Sequence, residues 1–531
     1  MAADLKVHMR QNKRRTLPNS KEMVVNYNRR TVPETISEHN DPMRVEWTEI
    51  NNSTPEYITG HEALRIPDLS KPRYKLYWPM RYGWCNERDY DSKRVLFLDI
   101  ALILEEAIKN QLGLTSKKEW PHYSCVFVIP DLYDKSYVTQ VLELLMREFA
   151  FARVCFIQES LSATFGAGFT SACVVDIGAQ KTSVCCVEEG MCLENSRVNL
   201  KYGGADVTEA FIRMMLHDHF PYADINLWRR YDILLAEELK KNICTMNEAN
   251  VTVQVHDFHL RVAGQDTRKY TFKAYDEALL APMGLFQPSI FDNSQKLKGR
   301  RTLIDRSVDI YDGQPNDPTS VAQSEILKSL APPAANGNVG IEAASQSLDV
   351  QSTPSRPHHT NALSRVQDVE GTPRSSVAGS PVPEATSTPQ AAGTSTPAVP
   401  PPPRAPTVEE RDDIMPILPL DDAILTSIAH ATRSEERKMR EFLGGIMVVG
   451  GGSMINGFHP FLEERLKNLR PGFAKEIMIG TPPRELDPQV VVWKGASVFG
   501  KLNGTNDSWI GQLEYDRLGH RLMAYKCMWA W

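Results

Sequence analysis

The chain has 531 residues, of which 42% are hydrophobic and 24% are charged, and its formal net charge is −6. This length leaves room for two or three domains with a sizeable core, and the small net charge gives no global sign of nucleic-acid binding. Nine cysteines are scattered without metal-ligand spacing, and no apolar run has the length of a membrane span. These features disfavour a zinc protein and a membrane protein and predict a soluble protein of the cytosol or nucleus.

Residues 1–43 are predicted to be a basic, flexible leader. Residues 1–31 carry eight lysines and arginines against two acids. Such a segment could neutralise DNA phosphates and give salt-dependent affinity, and the alternative is a solvated terminus without a partner.

Residues 44–300 are predicted to be the first part of a globular body. Residues 101–112 and 138–149 carry apolar side chains at helical spacing, and residues 126–129 and 154–157 are short runs typical of buried strands. Strands that alternate with helices in this way indicate an α/β protein with a partly parallel sheet.

Residues 301–415 are predicted to be a disordered insertion, since most of them are Pro, Ser, Thr, Ala and Gly with almost no large apolar side chain. Such a composition cannot bury enough surface to offset the entropy of ordering. Five Ser/Thr-Pro steps in the insertion could accept phosphate groups. Order is expected to resume over residues 416–531, the last part of the body.

Three glycine turns are the candidates for function. The first holds Asp176, Gly178, Lys181 and Thr182, the second holds Gly204 and Asp206, and the third holds Gly450, Gly451 and Met454. Glycine lets a backbone approach a phosphate closely, and an acid can hold the water shell of a magnesium ion. Each turn alone is also compatible with ordinary tight packing between a strand and its neighbour.

The three turns, in this order and at this spacing, resemble those of the actin superfamily. Further similar segments lie at residues 57–63, 78–83, 285–289, 493–497 and 509–516. Within the superfamily the resemblance is strongest to the nuclear actin-related proteins of Ino-eighty class chromatin remodelling complexes. The basic leader, residues 129–133, residues 180–188 and the long insertion carry it.

The resemblance implies an actin-like two-lobed fold, with ribonuclease-H-like halves around a cleft that holds ATP and Mg. It assigns the cofactor-binding residues as follows: Asp176, Gly178, Lys181 and Thr182 form the second phosphate loop, Gly204 and Asp206 flank the nucleotide, Lys240 lies near the adenosine, and Gly450, Gly451 and Met454 line the base. Gln158 matches the glutamine that positions the attacking water in actin.

The sequence departs from the family pattern at several positions. No strand hairpin upstream of Tyr57 resembles the first phosphate loop, and a missing first exon is one explanation. Ala179, Ser183 and Lys241 replace an acid, a histidine and an acid of actin. Phosphoryl transfer depends on positioning and charge neutralisation, so we expect no catalytic residues and little or no hydrolysis of any bound ATP.

The resemblance also implies partners and a location. The expected protein is a non-catalytic subunit of an ATP-dependent chromatin remodeller in the nucleus, with roles in transcription, DNA recombination and repair. It would bind a helix of the motor subunit beside actin and another actin-related protein, and would contact nucleosomes, histones and DNA but no membrane. The alternatives are a slow actin-like ATPase that acts as a switch and a filament-forming actin. The insertion and the divergent residues 63–77 disfavour the filament.

Overall fold

Strands and helices alternate along most of the chain, as predicted. The computed structural model describes Leu5 and residues 19–50, 55–331, 407–480, 486–529 and 531. The strands of this described part are β1 Glu34–Ile36, β2 Met80–Arg81, β3 Trp84–Cys85, β4 Ser124–Ile129, β5 Arg153–Gln158, β6 Ala172–Ile177, β7 Thr182–Glu188, β8 Met191–Cys192, β9 Val198–Leu200, β10 Gln254–Leu260, β11 Thr267–Ala274, β12 Ile446–Val449, β13 Ile479–Gly480 and β14 Ile510–Gly511.

The α-helices of the same part are α1 Ser20–Asn28, α2 Gly60–Leu64, α3 Lys93–Gln111, α4 Lys135–Glu143, α5 Glu159–Ala167, α6 Gly204–His217, α7 Arg230–Ile243, α8 Glu277–Leu280, α9 Val321–Leu330, α10 Val408–Asp412, α11 Leu420–Thr432, α12 Glu436–Gly444, α13 Phe458–Leu469, α14 Val491–Phe499, α15 Gln512–Leu518 and α16 Met523–Lys526. None of these described helices is both long enough and apolar enough to cross a bilayer.

The first central sheet has the order β14-β5-β4. Strands β4 and β5 are parallel, with Ile129 paired to Gln158, and β14 from the C-terminal part runs antiparallel to β5. Because the carboxyl ends of parallel strands meet at one edge, the residues that follow β4 and β5 lie close together. Asp131 and Glu159 both emerge at this edge.

The second central sheet has the order β13-β12-β6-β7-β8, and β9 also pairs with β7. Strands β6 and β7 form an antiparallel hairpin whose turn is residues 178–181. Strand β12 runs parallel to β6, with Val449 beside Asp176. The end of β12 therefore delivers Gly450 to the hairpin turn. These parallel and antiparallel pairings confirm the predicted α/β class with a partly parallel sheet.

The N-terminal segment differs from the predicted flexible leader. The positions of that leader before Asn19, apart from Leu5, lie outside the described residues, but residues 19–43 pack on the body. Val24 of α1 is fully buried, and the Asn28 side chain bonds to both backbone groups of Lys273. Strand β1 pairs with β11 rather than with the sheet of β4 and β5. Charge counting missed the buried face of α1, which carries Ser20, Val24 and Asn28.

The predicted boundaries of the insertion also need correction. Residues 301–331 and 407–415 are folded, while residues 332–406 lie outside the described part. Helix α9 begins at a Ser320 cap, and its Ala322 and Ile326 side chains are buried in the core. The Gln323 side chain accepts a hydrogen bond from the Asn199 backbone at 2.8 Å. Four apolar residues at helical spacing are enough to dock this short helix despite its polar neighbourhood.

Candidate functional site

The three predicted glycine turns meet at one place. The Gly204 N–H donates to the Gly178 carbonyl at 2.9 Å, and the Ala205 N–H donates to the Ala179 carbonyl at 2.7 Å. A Cβ atom at Gly203 would lie 2.4 Å from the Gly178 carbonyl oxygen, so only glycine permits this approach. The hairpin turn therefore sits directly on the start of α6.

The third turn closes over the end of β6. Gly450 has a φ of +87°, and a Cβ atom there would lie 2.4 Å from the Asp176 Oδ1 atom. Glycine at this position lets β12 continue past the Asp176 carboxylate without a clash. Asp176, Gly178, Gly204 and Gly450 are thus brought together in the structure.

The N–H groups at the start of α6 are already hydrogen-bonded within the protein. Gly204 and Ala205 donate to the hairpin turn, and Gly203 donates to the Asp206 Oδ2 atom at 2.9 Å. The buried Asp206 carboxylate also forms an ion pair with Lys296 at 2.6 Å. Asp206, which was predicted to lie beside a nucleotide, therefore has a structural role, because its carboxylate oxygens are engaged inside the protein.

The Lys181 side chain points into the protein interior and forms an ion pair with Glu159. The Lys181 side chain is 16% exposed and the Glu159 side chain 12%. The β2–β3 hairpin covers the pair, because Gly83 lies against the Lys181 stem and the Tyr82 N–H donates to the Gln180 side chain at 2.8 Å. The cation of the predicted phosphate loop is thus held by an internal carboxylate.

Thr182 is also engaged internally, since its buried hydroxyl donates to the Tyr202 carbonyl at 2.8 Å. The backbone of the turn is more open. In the described part of the chain, the N–H groups of Ala179 and Gln180 have no hydrogen-bond acceptor, and Ala179 is exposed. Two neighbouring amides of this kind can donate to an anion such as a phosphate.

The carboxylates of Glu159, Asp176 and Asp131 interact electrostatically with the Lys181 ammonium. Burial and the Glu159 charge raise the pKa of Asp176 to about 6 and that of Asp131 to about 7. Burial disfavours the charged form of Lys181, but the charges of Glu159 and Asp176 outweigh it and raise the lysine pKa. One ammonium does not balance three acids, so the cluster favours the binding of a further positive charge.

The Asp176 carboxylate is the member of this cluster that fits a magnesium ion. Asp131 accepts hydrogen bonds from the backbone and the hydroxyl of Ser160, and Glu159 is paired with Lys181. The Asp176 carboxylate accepts no hydrogen bond from any described residue. Magnesium typically uses one or two carboxylates together with water and phosphate oxygens, so Asp176 suits an ion that arrives with a nucleotide.

The remaining predicted residues lie around the turns. The Lys240 Nζ atom donates to the Gly204 carbonyl at 3.1 Å and to Glu237 at 2.7 Å, so it marks the start of α6. Gly451 lies against the Gln489 side chain, whose amide nitrogen is 3.1 Å from the Met454 sulfur. Gly451 and Met454 therefore form an apolar rim that is partly open to solvent.

Gln158 and Ser183, at the positions that could place a water molecule, are both buried. Gln158 is buried, and its amide donates to the Asp131 carbonyl at 3.3 Å. Ser183 is buried, and its hydroxyl has no hydrogen-bond partner within the described residues. Neither side chain is presented to a substrate as a general base or a water-orienting group would be.

Sequence reasoning missed Glu159, Asp131 and Lys296. The signal for the two acids was available, because both come just after apolar strands that we had predicted. Carboxyl ends of neighbouring parallel strands are where ligand-binding residues gather. Nothing in the sequence indicated Lys296, which reaches Asp206 from a loop 90 residues further along the chain.

Among the described residues, two groups of side chains have ligand atoms close enough for a metal ion: Asp131 with Cys185 and Cys192, and Asp218 with Asp276 and Glu277. In the first, burial raises the pKa of Cys185, and the hydrogen bond to Cys185 together with burial raises that of Cys192, so both thiols stay protonated. In the second, the Lys21 ammonium forms ion pairs with all three acids. Each group is thus accounted for without an ion.

The comparison with protein families agrees with this geometry. The family model described as Actin matches residues 72–273 and 382–528 of the chain. Together with the two sheets and the three meeting turns, this match defines the class of protein. The chain belongs to the actin family.

Individual relatives narrow the assignment. The chain is 36% identical to the probable actin-related protein 8 of Schizosaccharomyces pombe, over 99% of this chain and 74% of the relative. It is 32% identical to the human actin-related protein 8, over 97% of this chain and 80% of the relative. The structure is similar to that of human actin-related protein Arp8 in its ATP-bound state, with a TM-score of 0.69 and 27% identity over 98% of this chain and 82% of the other. The chain lies in the actin-related protein 8 branch of the family, which confirms the predicted resemblance to an actin-related protein.

Proposed function

We propose that this protein is a non-catalytic subunit of an ATP-dependent chromatin remodelling complex in the nucleus, and that it holds ATP without turning it over. The main support for a protein without catalytic activity is the Lys181–Glu159 ion pair. A phosphoryl-transfer site needs cations free to neutralise the developing charge. Here the lysine of the loop is already neutralised by a carboxylate.

Binding of ATP is supported by the open part of the site. The Ala179 and Gln180 amides can donate to phosphate oxygens, and Asp176 would hold a magnesium ion through water. Magnesium, when bound, would neutralise the phosphate charge. The similar human protein is known in an ATP-bound state, which favours the same ligand here. Hydrolysis is disfavoured because Gln158 and Ser183 are not presented to a water molecule.

Binding of a motor-subunit helix, beside actin and another actin-related protein, is supported by apolar side chains on the C-terminal helices. Trp493 of α14, Leu513 of α15 and Tyr525 of α16 are strongly exposed. Exposed large apolar side chains of this kind suit an amphipathic helix that buries its apolar face on them.

Contact with nucleosomes, histones and DNA is proposed for the basic N-terminal segment. Arg29 and Arg30 are exposed, whereas Lys21 is engaged with buried acids and is not available. Arg10, Lys13, Arg14 and Arg15 lie outside the described residues and carry the greatest density of positive charge. Phosphate contacts of this kind position a protein on DNA without reading its sequence.

Three measurements test the proposal. Nucleotide released by heating the purified protein should be ATP, and steady incubation with Mg and ATP should release no phosphate above background. Steady phosphate release would favour the slow ATPase instead. A nucleosome mobility-shift series over salt concentration should lose slope when Arg10, Lys13, Arg14 and Arg15 are all replaced by Gln, by roughly 0.9 per lost phosphate contact. An unchanged slope would contradict DNA binding by this segment.

A further inference from the structure

A second site lies at the base of the insertion. A cavity of about 230 Å³ is enclosed by the β2–β3 hairpin, the segment after β9 and both folded flanks of the insertion. Its cationic wall is formed by Lys201, Arg300, Arg301, Arg306 and Arg411, beside the Trp84 ring. These cations are different from the residues of the glycine turns.

The Trp84 ring fixes two of the cations. The Lys201 Nζ atom and the Arg300 guanidinium carbon each lie 4.1 Å from the ring centroid. Cation–π contacts at this distance hold both groups in place without neutralising their charge. Trp84 therefore keeps positive charge at the cavity wall.

Four carboxylates line the cavity, those of Glu87, Asp134, Asp317 and Asp412. Asp134 pairs with Arg301, while Asp317 accepts the Lys135 backbone N–H at 2.9 Å and keeps its other oxygen buried without a hydrogen bond, 3.9 Å from Arg301.

Asp412 pairs with Arg300 at 2.8 Å and Arg301 at 3.3 Å, and also with Arg306. The buried Glu87 carboxylate accepts the backbone N–H groups of Leu303 and Ile304 at 2.7 and 2.8 Å.

Two cations remain without a carboxylate partner among the described residues. Lys201 is only 3% exposed, and its ammonium makes one long hydrogen bond, 3.4 Å to the Gly83 carbonyl. The Nε atom of Arg411 is buried and has no acceptor. A buried ammonium without a counter-charge is costly, and proteins seldom retain one without a ligand or a function.

The electrostatics agree with this geometry. Burial and the neighbouring Arg300 charge lower the pKa of Lys201 well below its ordinary value. Burial, assisted by the Arg301 charge, lowers the pKa of Arg300 to about 10. Both shifts disfavour the charged forms of these side chains, and a bound anion would favour the charged forms again.

We propose that this cavity binds a small phosphate-bearing dianion. Five cations face four carboxylates in this lining, and the two cations without a carboxylate partner, Lys201 and Arg411, can donate hydrogen bonds to phosphate oxygens. The cavity is smaller than the roughly 300–1,000 Å³ of sites for drug-sized ligands, which suits orthophosphate or a small phosphate monoester. Because both flanks of the insertion line it, the ligand fastens the base of the insertion to the body. The proposal uses different cations from those of the nucleotide site and does not rest on the function proposed above.

The test uses the full-length protein and orthophosphate, with ionic strength held constant by sodium chloride. Calorimetric titration should show binding, and phosphate should raise the temperature of unfolding by mass action. Lys201→Met should weaken phosphate binding at least about tenfold while leaving the ligand-free protein as stable as before or more stable. Lys269→Met is the matched control, since Lys269 lies on β11 and pairs with Asp257 outside the cavity.

Arg411→Gln provides a second variant if Lys201→Met does not fold, and it should also weaken phosphate binding. The Lys240→Met variant, which is altered beside the glycine turns, should bind phosphate as tightly as the natural protein. This result would show that the phosphate signal does not come from the glycine turns. Absence of phosphate binding to the natural protein would overturn the proposal. Equal phosphate affinity in the natural protein and in the folded cavity variants would overturn it as well.

Discussion

Lys181 and Glu159 form an ion pair directly beneath the glycine turns, with the lysine ammonium donating to both carboxylate oxygens. Glu159 opens α5, and Lys181 ends the turn between β6 and β7, so the contact joins the two central sheets of the body. The pair keeps a cation close to the place where phosphates would lie, but it withholds that charge from them. Under the proposed function, this relationship would let a nucleotide bind without being hydrolysed.

Glu159→Gln should strengthen ATP binding. The substitution keeps the size of the side chain but removes the charge that holds Lys181, so the ammonium becomes free to interact with phosphate. We expect affinity to rise by about tenfold, the scale of one charge-assisted hydrogen bond. Isothermal titration with ATP and magnesium measures it. Glu106→Gln, which affects a surface pair with Lys109, is the control. Unchanged or weaker binding in Glu159→Gln would be inconsistent with the inferred role of the pair.

Lys181→Met should destabilise the protein. It leaves Glu159, Asp176 and Asp131 without the ammonium that partly balances them, and loss of one partner from a buried pair costs about 3–5 kcal/mol. Urea unfolding monitored by fluorescence gives the free energy of unfolding. The double variant Lys181→Met with Glu159→Gln should recover part of the loss, because the two changes act on one interaction. Strictly additive losses would argue against direct coupling.

Asp131 should make stability depend on pH near neutrality. Its folded-state pKa of about 7 lies above the ordinary value of 3.8, so the folded protein binds the extra proton between these values. Stability should therefore rise as pH falls from about 8 towards 5, by on the order of 1–3 kcal/mol from this group. Asp131→Asn should flatten that slope in urea titrations at several pH values. A slope of the same size in the variant would exclude Asp131 as its source.

Lys21→Met should loosen the N-terminal helix α1. The Lys21 ammonium pairs with Asp276 at 2.6 Å and with Asp218, both buried acids. Because the lysine is about one-third exposed, solvent screens part of the interaction, and we expect a loss of about 1–3 kcal/mol rather than the full cost of a buried pair. Hydrogen exchange should accelerate over residues 19–31. Lys269→Met, which breaks an ordinary surface pair, should leave this exchange unchanged. Protection of residues 19–31 that survives Lys21→Met would contradict the inferred anchoring.

The local framework could be predicted from the sequence because its signals are local. The apolar runs that end at Asp176 and just before Gly450 indicate a strand followed by a turn, and this signal does not depend on residues elsewhere in the chain. The partner of Lys181 could not be predicted, since Glu159 stands on another element and its approach depends on how the two sheets pack. Helix α9 escaped for a different reason, because averaged composition over the insertion hides a short amphipathic segment such as Val321–Leu330.

Compositional reasoning was also weakest for charged residues. Lys21 was counted with the solvated cations of the leader, yet it meets buried acids that lie about 200 and 250 residues further along the chain. Lys201 carried no sequence signal, although it is buried and has no carboxylate partner among the described residues. Counting charges describes the average electrostatic potential around a segment. Function depends instead on which charged side chains the fold leaves without a partner.

The most direct test of the central claim follows the fate of bound ATP in a single turnover. Purified protein in excess over radiolabelled ATP, with magnesium present, is quenched at intervals and the bound nucleotide is separated into ATP and ADP. We predict that the bound nucleotide remains ATP at every interval, in step with a protein-free control. Conversion of the bound nucleotide to ADP faster than in that control, and its loss in a variant of Asp176, would contradict the account and identify the protein as an ATPase.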